Sequence, residues 1–201
     1  MLDPEYIKKC ALEEGFSLCG VARAQALTQH TARLEEWLSA GNGSQLGYMS
    51  RNIEKRIDPT LLVPGTQTVV VCAVNYKNAA WNRSDDTNND TPKIASYAYM
   101  RDYHTTVKDM LMAVLLRLQK KYPGMSGRAF TDSAPVPEKA WAVDAGLGWT
   151  GRNTLVVPPH YRSVLTLGAT AHNIPANRHH PHFLDDGCSN SPPHASTVPP
   201  W

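Results

Sequence analysis

Thr68-Val69-Val70-Val71-Cys72-Ala73-Val74-Asn75-Tyr76 decides the fold. It is a continuous run of mostly β-branched apolar residues with no polar alternation, the pattern of a strand buried on both faces. Such a strand sits in mid-sheet and needs a layer of helices on each side. Helical signals lie on either side of it in the sequence. Asp3-Pro4 is a cap and first-turn pair, Ile7, Ala11 and Leu12 recur at helical spacing, and Gly15 stops the segment, so a helix is expected over 4–14 with a short strand, 16–22, after it. Leu34, Trp37 and Leu38 form a second stripe ending at Gly41, and the stretch up to Gly47 reads as a loop. Val107, Leu111, Val114, Leu118 and Tyr122 recur at steps of three and four before Pro123-Gly124, which predicts the longest helix. Further strands are expected near 94–99, 128–131, 154–157 and 163–167, and a helix over 138–145. The alternation of elements gives an α/β class: a mixed sheet with flanking helices, followed by an irregular Pro/His-rich tail.

The chain has 201 residues with 42% hydrophobic content, enough for one large domain with a core. The last 33 residues differ from the rest. They hold six of the fifteen prolines and five of the eight histidines but only Ile174, Phe183, Leu184 and Val198 among Leu, Ile, Val and Phe. The division is therefore placed at 1–168 and 169–201, with the second part expected to be poorly ordered. There is no apolar run of membrane-spanning length and no basic, apolar leader at Met1-Leu2-Asp3-Pro4-Glu5, so the expected location is cytoplasmic, with no membrane partner. Cys10, Cys19, Cys72 and Cys188 are scattered, which argues against a disulfide framework. A net charge of +2 identifies no partner. The polar stretch 77–93 reads as an exposed loop, either a mobile lid or a plain insertion.

Several segments are candidates for chemistry. Asp132, in Ala129-Phe-Thr-Asp-Ser-Ala-Pro135, falls where a strand breaks before a helix, and strand ends of this kind line ligand crevices. It reads as a general acid if its surroundings raise its pKa, or as a turn residue. Gly146-Leu-Gly-Trp-Thr-Gly151 has dinucleotide-type spacing but follows a helix and precedes a strand, the reverse of the required context, so that reading is rejected. Arg101-Asp-Tyr-His104 opens the long helix, where Tyr103 can stack and His104 can titrate, or where Asp102 simply caps. Arg56 reads as a clamp or as a surface ion pair. His179-His180-Pro181-His182 cannot aim three imidazoles at one ion and reads as a polar tail.

Taken in order, Gly47-Tyr-Met-Ser-Arg-Asn52, Arg56 with Leu62-Val-Pro-Gly65, Arg101-Asp-Tyr-His104, Thr131-Asp-Ser-Ala-Pro135, Glu138-Lys139 and Ala145-Gly-Leu-Gly-Trp-Thr-Gly-Arg-Asn153 resemble the epoxyqueuosine reductases over roughly 1–168. The resemblance implies a cobalamin-binding domain followed by a ferredoxin-like domain with two [4Fe-4S] clusters. It also implies an activity, reduction of epoxyqueuosine to queuosine in tRNA. It makes Asp132 the proton donor. It places Arg56, Tyr103, His104, Ser133, Gly148, Trp149, Gly151, Arg152 and Asn153 in the cofactor pocket. Met100 departs from the small residue that usually precedes Arg-Asp-Tyr-His in this family.

The tail departs further. In the family, Asp-Gly-Cys leads into C-x2-C-x2-C-x3-C-P, whose thiolates hold a cluster. Counting from Cys188, those places are Ser191, His194 and Val198, followed by Pro199. The segment 169–201 therefore reads as a degenerate remnant of the ferredoxin-like domain, with Cys188 a vestigial iron–sulfur ligand. The expectation is an impaired reductase that takes electrons from an external donor such as a ferredoxin or flavodoxin. The alternative is a non-enzymatic corrinoid- or tRNA-binding domain.

Overall fold

A computed structural model describes residues 1–76, 95–99, 101–159 and 165–177. The expected central strand is β2, Thr68–Asn75, and it is buried from Thr68 to Ala73. It pairs on one side with β1, Leu18–Arg23, and on the other with β6, Leu165–His172, while β3, Gly127–Phe130, lies beyond β6. All three neighbouring pairs in this sheet are antiparallel, so Val71 faces Gly20 on one flank and Ala169 on the other. Alternate residues of β2 enter opposite cores, as expected for a strand covered twice. Val70 and Cys72 meet Ile7, Cys10 and Ala11 of helix α1, Pro4–Glu13, and Val107 to Leu118 of α5, Tyr103–Lys121. Val69, Val71 and Ala73 meet Ala140, Trp141 and Ala142 of α6, Glu138–Asp144. Each fully buried valine of this strand contributes about 1.5–3 kcal/mol by leaving water.

The helix ends follow the capping signals in the sequence. Asp3 accepts the Glu5 amide at 3.1 Å with Pro4 in the first turn, and Asp102 accepts the His104 amide at 2.9 Å. Gly15, at φ +95°, and Gly124, at φ +82°, take the left-handed turns that follow α1 and α5. Helix α2, Thr28–Ser39, confirms the second stripe, and two short helices, α3 (Ile53–Ile57) and α4 (Pro59–Leu62), lead into β2. A glycine is required at Gly20, because an added Cβ would sit 2.4 Å from the Ala145 carbonyl oxygen and 2.3 Å from Leu147 Cδ1.

Three expectations change. Of the strand expected near 94–99, residues Ser96–Tyr99 form a 3-10 helix instead. The strand expected over 154–157 shortens to β5, Val156–Val157, which pairs with β4, Trp149–Thr150, in a separate two-stranded ribbon. The strand expected over 163–167 starts at Leu165 and runs on to His172. The compositional break at 168/169 thus falls inside a central strand. Gly168 suits that strand because helix α5 packs closely on it: a Cβ at Gly168 would meet Leu111 and Val107 carbons at 2.8 and 2.9 Å, while Ala169 on the opposite face joins the core under α6. Segment 173–176 is bound as well. Leu2 N–H donates to the Pro175 carbonyl at 2.7 Å, and the Thr68 hydroxyl donates to the Ile174 carbonyl at 2.8 Å. The 77–93 loop, Met100, the histidine cluster and the whole Cys188 register lie outside the described residues.

Candidate active site

The site forms where β3 ends. Phe130 and Thr131 are buried, and the chain then turns outward at Asp132, which is exposed and takes the left-handed φ of +48°. That conformation is uncommon for a residue with a side chain, and Asp and Asn tolerate it best. Two other elements fix it. From the first turn of α5, the Tyr103 hydroxyl donates to Asp132 Oδ2 at 2.6 Å. From the first turn of α6, Glu138 Oε1 accepts the Asp132 backbone N–H at 3.0 Å. Tyr97 meets the edge of Tyr103, with ring centroids 6.1 Å apart, and His104 stacks on it at 4.0 Å. The His104 Nδ1 lies 2.8 Å from Asp102 Oδ1, which orients the imidazole and holds the Asp102 carboxyl below its usual range.

Asp132, Tyr103 and Glu138 line a cleft of about 210 Å³ together with Tyr76, Tyr97 and Lys139, over a floor of Leu165, Thr166 and Leu167. Burial is the main force on the titration of this cluster. It pushes Glu138 up to about 8, with the neighbouring Asp132 carboxyl adding to the rise and the Asp132 amide opposing it. Burial, reinforced by Asp132, also raises the Tyr103 hydroxyl above its ordinary value. At neutral pH the cluster therefore holds a protonated Glu138 and a protonated Tyr103 against Asp132. It can present a proton at the cleft and keep a carboxyl aimed into it.

Of the candidate residues, Tyr103, His104, Asp132 and the adjacent Ser133 gather here. Others sit elsewhere. Arg56 lines a separate, nearly filled pocket of about 10 Å³ beside Pro137 and Trp141, and its Nη2 donates to the Tyr48 carbonyl at 3.3 Å. Gly148, Trp149, Gly151, Arg152 and Asn153 belong to the β4–β5 ribbon and its turn and do not line the Asp132 cleft. Gly148 is needed by the ribbon itself, since a Cβ there would stand 2.3 Å from the Val157 carbonyl oxygen. Asn153 Oδ1 accepts the Leu155 amide at 3.2 Å. Among the described residues no group of three or more His, Cys, Asp or Glu is placed to hold a metal ion. Glu138, Lys139, Tyr76 and Tyr97 were not among the sequence candidates. Glu138 and Lys139 carried a signal, their place opening the helix that follows the Asp132 turn, whereas the two tyrosines carried none.

Residues 56–133, which include Arg56, Tyr103, His104 and Asp132, match the family model described as epoxyqueuosine reductase QueG, DUF1730. The epoxyqueuosine reductase of Cyclobacterium marinum is 40% identical over 153 residues, covering 76% of this chain and 48% of that protein. The one from Leadbetterella byssophila is 40% identical over 152 residues, covering 75% and 48%. Over about three quarters of its length the chain is similar to the epoxyqueuosine reductases. It spans about half the length of the curated relatives it matches. The crystal structure of an epoxyqueuosine reductase with an epoxyqueuosine-modified tRNA-Tyr stem loop shares the fold, with a TM-score of 0.72 at 24% identity over 93% of this chain and 49% of that one. No helix among the described residues is long and apolar enough to cross a membrane.

Proposed function

We propose that this chain carries the corrinoid-binding half of an epoxyqueuosine reductase and that Asp132 is its proton donor. The observation that carries this reading is the Tyr103–Asp132–Glu138 cluster at the mouth of a cleft, within the segment matched by the family model. The relatives' activity and the tRNA stem loop bound by the structural neighbour support tRNA containing epoxyqueuosine as the substrate.

The residues fit a corrinoid in kind. Apolar Leu165 and Leu167, three tyrosine rings and the Lys139 ammonium suit an amphipathic ring edged with amides, while the open cleft is too small to enclose the whole macrocycle. Tyr76, Tyr97, Tyr103 and Lys139 would contact it, and the bound group would supply electrons at low potential. Opening an epoxide to an alkene consumes two electrons and two protons and releases water. Both protons come from solvent, one of them relayed to the departing oxygen through Asp132, whose carboxyl Tyr103 holds in place. Positions 191, 194 and 198 carry no thiol, so we place the electron source outside the chain, in a ferredoxin- or flavodoxin-type donor, and expect slow turnover without one.

The test is anaerobic: protein, cobalamin, a strong chemical reductant and epoxyqueuosine-containing tRNA, with queuosine as the product measured. Product that depends on protein and on Asp132 supports the reading, and its absence with protein that binds cobalamin refutes it. The missing thiols favour one alternative, a corrinoid- or tRNA-binding domain without activity, which predicts a spectral titration with cob(II)alamin or a tRNA gel shift but no queuosine.

A further inference from the structure

Asp132 poses a problem that the proton-donor role does not answer. It is exposed, lies in a turn and takes a left-handed backbone conformation, yet its carboxyl is held 2.6 Å from a hydroxyl on another element. Such a backbone costs on the order of 1–3 kcal/mol and persists only where surrounding contacts impose it. The Tyr103 bond acts on the side-chain tip and cannot select the backbone rotation. The contact that reads the backbone is the one between the Asp132 N–H and Glu138 Oε1. Glu138 also occupies the first turn of a seven-residue helix whose N-cap, Pro137, offers no side-chain bond. A first-turn acid of this kind is ordinarily placed to meet free helix amides. Here its carboxyl reaches back six residues instead, to an amide outside the helix.

We propose that Glu138 is the positioning residue for Asp132: by accepting the Asp132 amide hydrogen it selects the left-handed turn that brings the Asp132 carboxyl onto Tyr103 and into the cleft. The inference deepens the proton-donor reading and rests on it for its functional meaning, but the geometry can be tested without any reaction. A carboxyl pair this close, in half-buried surroundings, favours a single negative charge between the two groups, which accords with the raised titration of Glu138. Among the described residues, the other titratable groups lining the cleft around the pair are Tyr76, Tyr97, Tyr103 and Lys139.

The experiment compares Glu138→Gln, which keeps an acceptor oxygen and loses the titratable proton, with Glu138→Ala, which loses both. Amide hydrogen exchange and ring-carbon NMR of Tyr103 are read on the full chain. In Glu138→Ala the Asp132 amide should exchange about tenfold faster or more, the worth of one hydrogen bond, and the Tyr103 hydroxyl should titrate closer to its ordinary value as Asp132 departs. Glu138→Gln should keep both close to wild type. If Glu138 served only as a helix-start charge, the two variants would behave alike and the Asp132 amide would not change. Either result overturns the proposal. A pH titration of the wild type tests it without Glu138→Ala: the Asp132 amide proton should shift in one step near 8, and this step should be missing in Glu138→Gln. Its presence in Glu138→Gln overturns the proposal. Because none of these readouts uses tRNA or cobalamin, failure of the reductase reading would leave them intact, and failure of the positioning role would leave queuosine formation to be judged by itself.

Discussion

His172 makes the stability of this fold depend on acid in a way that can be worked out from its surroundings. It closes β6 opposite Thr68 on one neighbour and Gly127 on the other, has no measurable exposure, and places Nε2 2.7 Å from Thr170 Oγ1 while Nδ1 has no partner. Burial lowers its pKa from 6.5 to about 4. The imidazole is thus neutral in the folded protein throughout the interval in which the unfolded chain takes up a proton. For a group whose folded pKa is depressed in this direction, stability is complete above about 6.5 and falls as the pH drops, by about 1.4 kcal/mol per pH unit, until the folded form protonates near 4. Between pH 7 and pH 4.5 the loss comes to about 2.4 kcal/mol, a large share of the 5–15 kcal/mol typical of a domain. Glu138 contributes with the opposite sign, so wild type must be compared with His172→Gln, in which only the histidine contribution is gone. Urea unfolding at pH 7, 5.5 and 4.5 is the assay. With an m-value of about 2 kcal/mol per molar, the wild-type midpoint should fall about 1.2 M further than that of the variant across this range. Parallel pH curves for the two proteins, or the His172 imidazole of the folded protein titrating near 6.5, would refute the reasoning.

Asp132→Asn should fold normally, because Asn tolerates a φ of +48°, while queuosine formation falls about 10²- to 10⁴-fold in the anaerobic assay, the usual worth of a positioned acid. Asp132→Gly should be equally inactive and more stable by about 1 kcal/mol in urea unfolding, since glycine removes the left-handed strain. Glu138→Gln should gain stability over wild type as the pH rises from 5 to 8: a carboxyl whose folded pKa is raised to about 8 stabilises the fold only while protonated, and melting temperatures measured across that range check the sign. Gly20→Ala should cost about 1–3 kcal/mol or prevent folding, because Leu147 Cδ1 can move aside from the new methyl but the Ala145 carbonyl oxygen, part of the backbone, cannot.

The parts of the fold legible in the sequence are those governed by local patterning. β2 declared itself because a strand covered on both faces needs no polar residue, and α5 because its buried positions repeat along one face. The end of β6 did not. Gly168-Ala-Thr-Ala-His172 looks like the start of a polar tail, and only packing from both sides, Leu111 and Val107 close on Gly168 and the α6 core on Ala169, explains why small residues belong in a central strand there. The same division runs through the site. Asp132 and Tyr103 were recognisable because a strand end and a helix start are sequence features. Glu138 stands in the motif order without an assigned role, because that role depends on where one backbone amide points after a left-handed turn, which no periodicity encodes. Arg56 and the 148–153 ribbon adjoin these residues in the motif order but face other parts of the molecule.

The cluster's construction bears on what it is for. A turn selected only for stability would place glycine or asparagine at a φ of +48° and would not leave a half-buried glutamate at its edge whose ionisation is suppressed. Here both costs occur within six residues, and each has its counterpart in the other: Glu138 gives up solvent to reach the Asp132 amide, and Asp132 accepts an unfavourable rotation to present its carboxyl. The Tyr103 hydroxyl then fixes the one degree of freedom that remains, the side-chain tip. Three elements, the end of β3 and the starts of α5 and α6, thereby determine the place of a single exposed carboxyl. Such over-determination of one solvent-facing group adds little to the core, since none of the hydrophobic contacts around β2 depends on it. It makes sense if the position of that carboxyl is itself what the fold has to deliver, as a proton donor at the edge of a cleft requires.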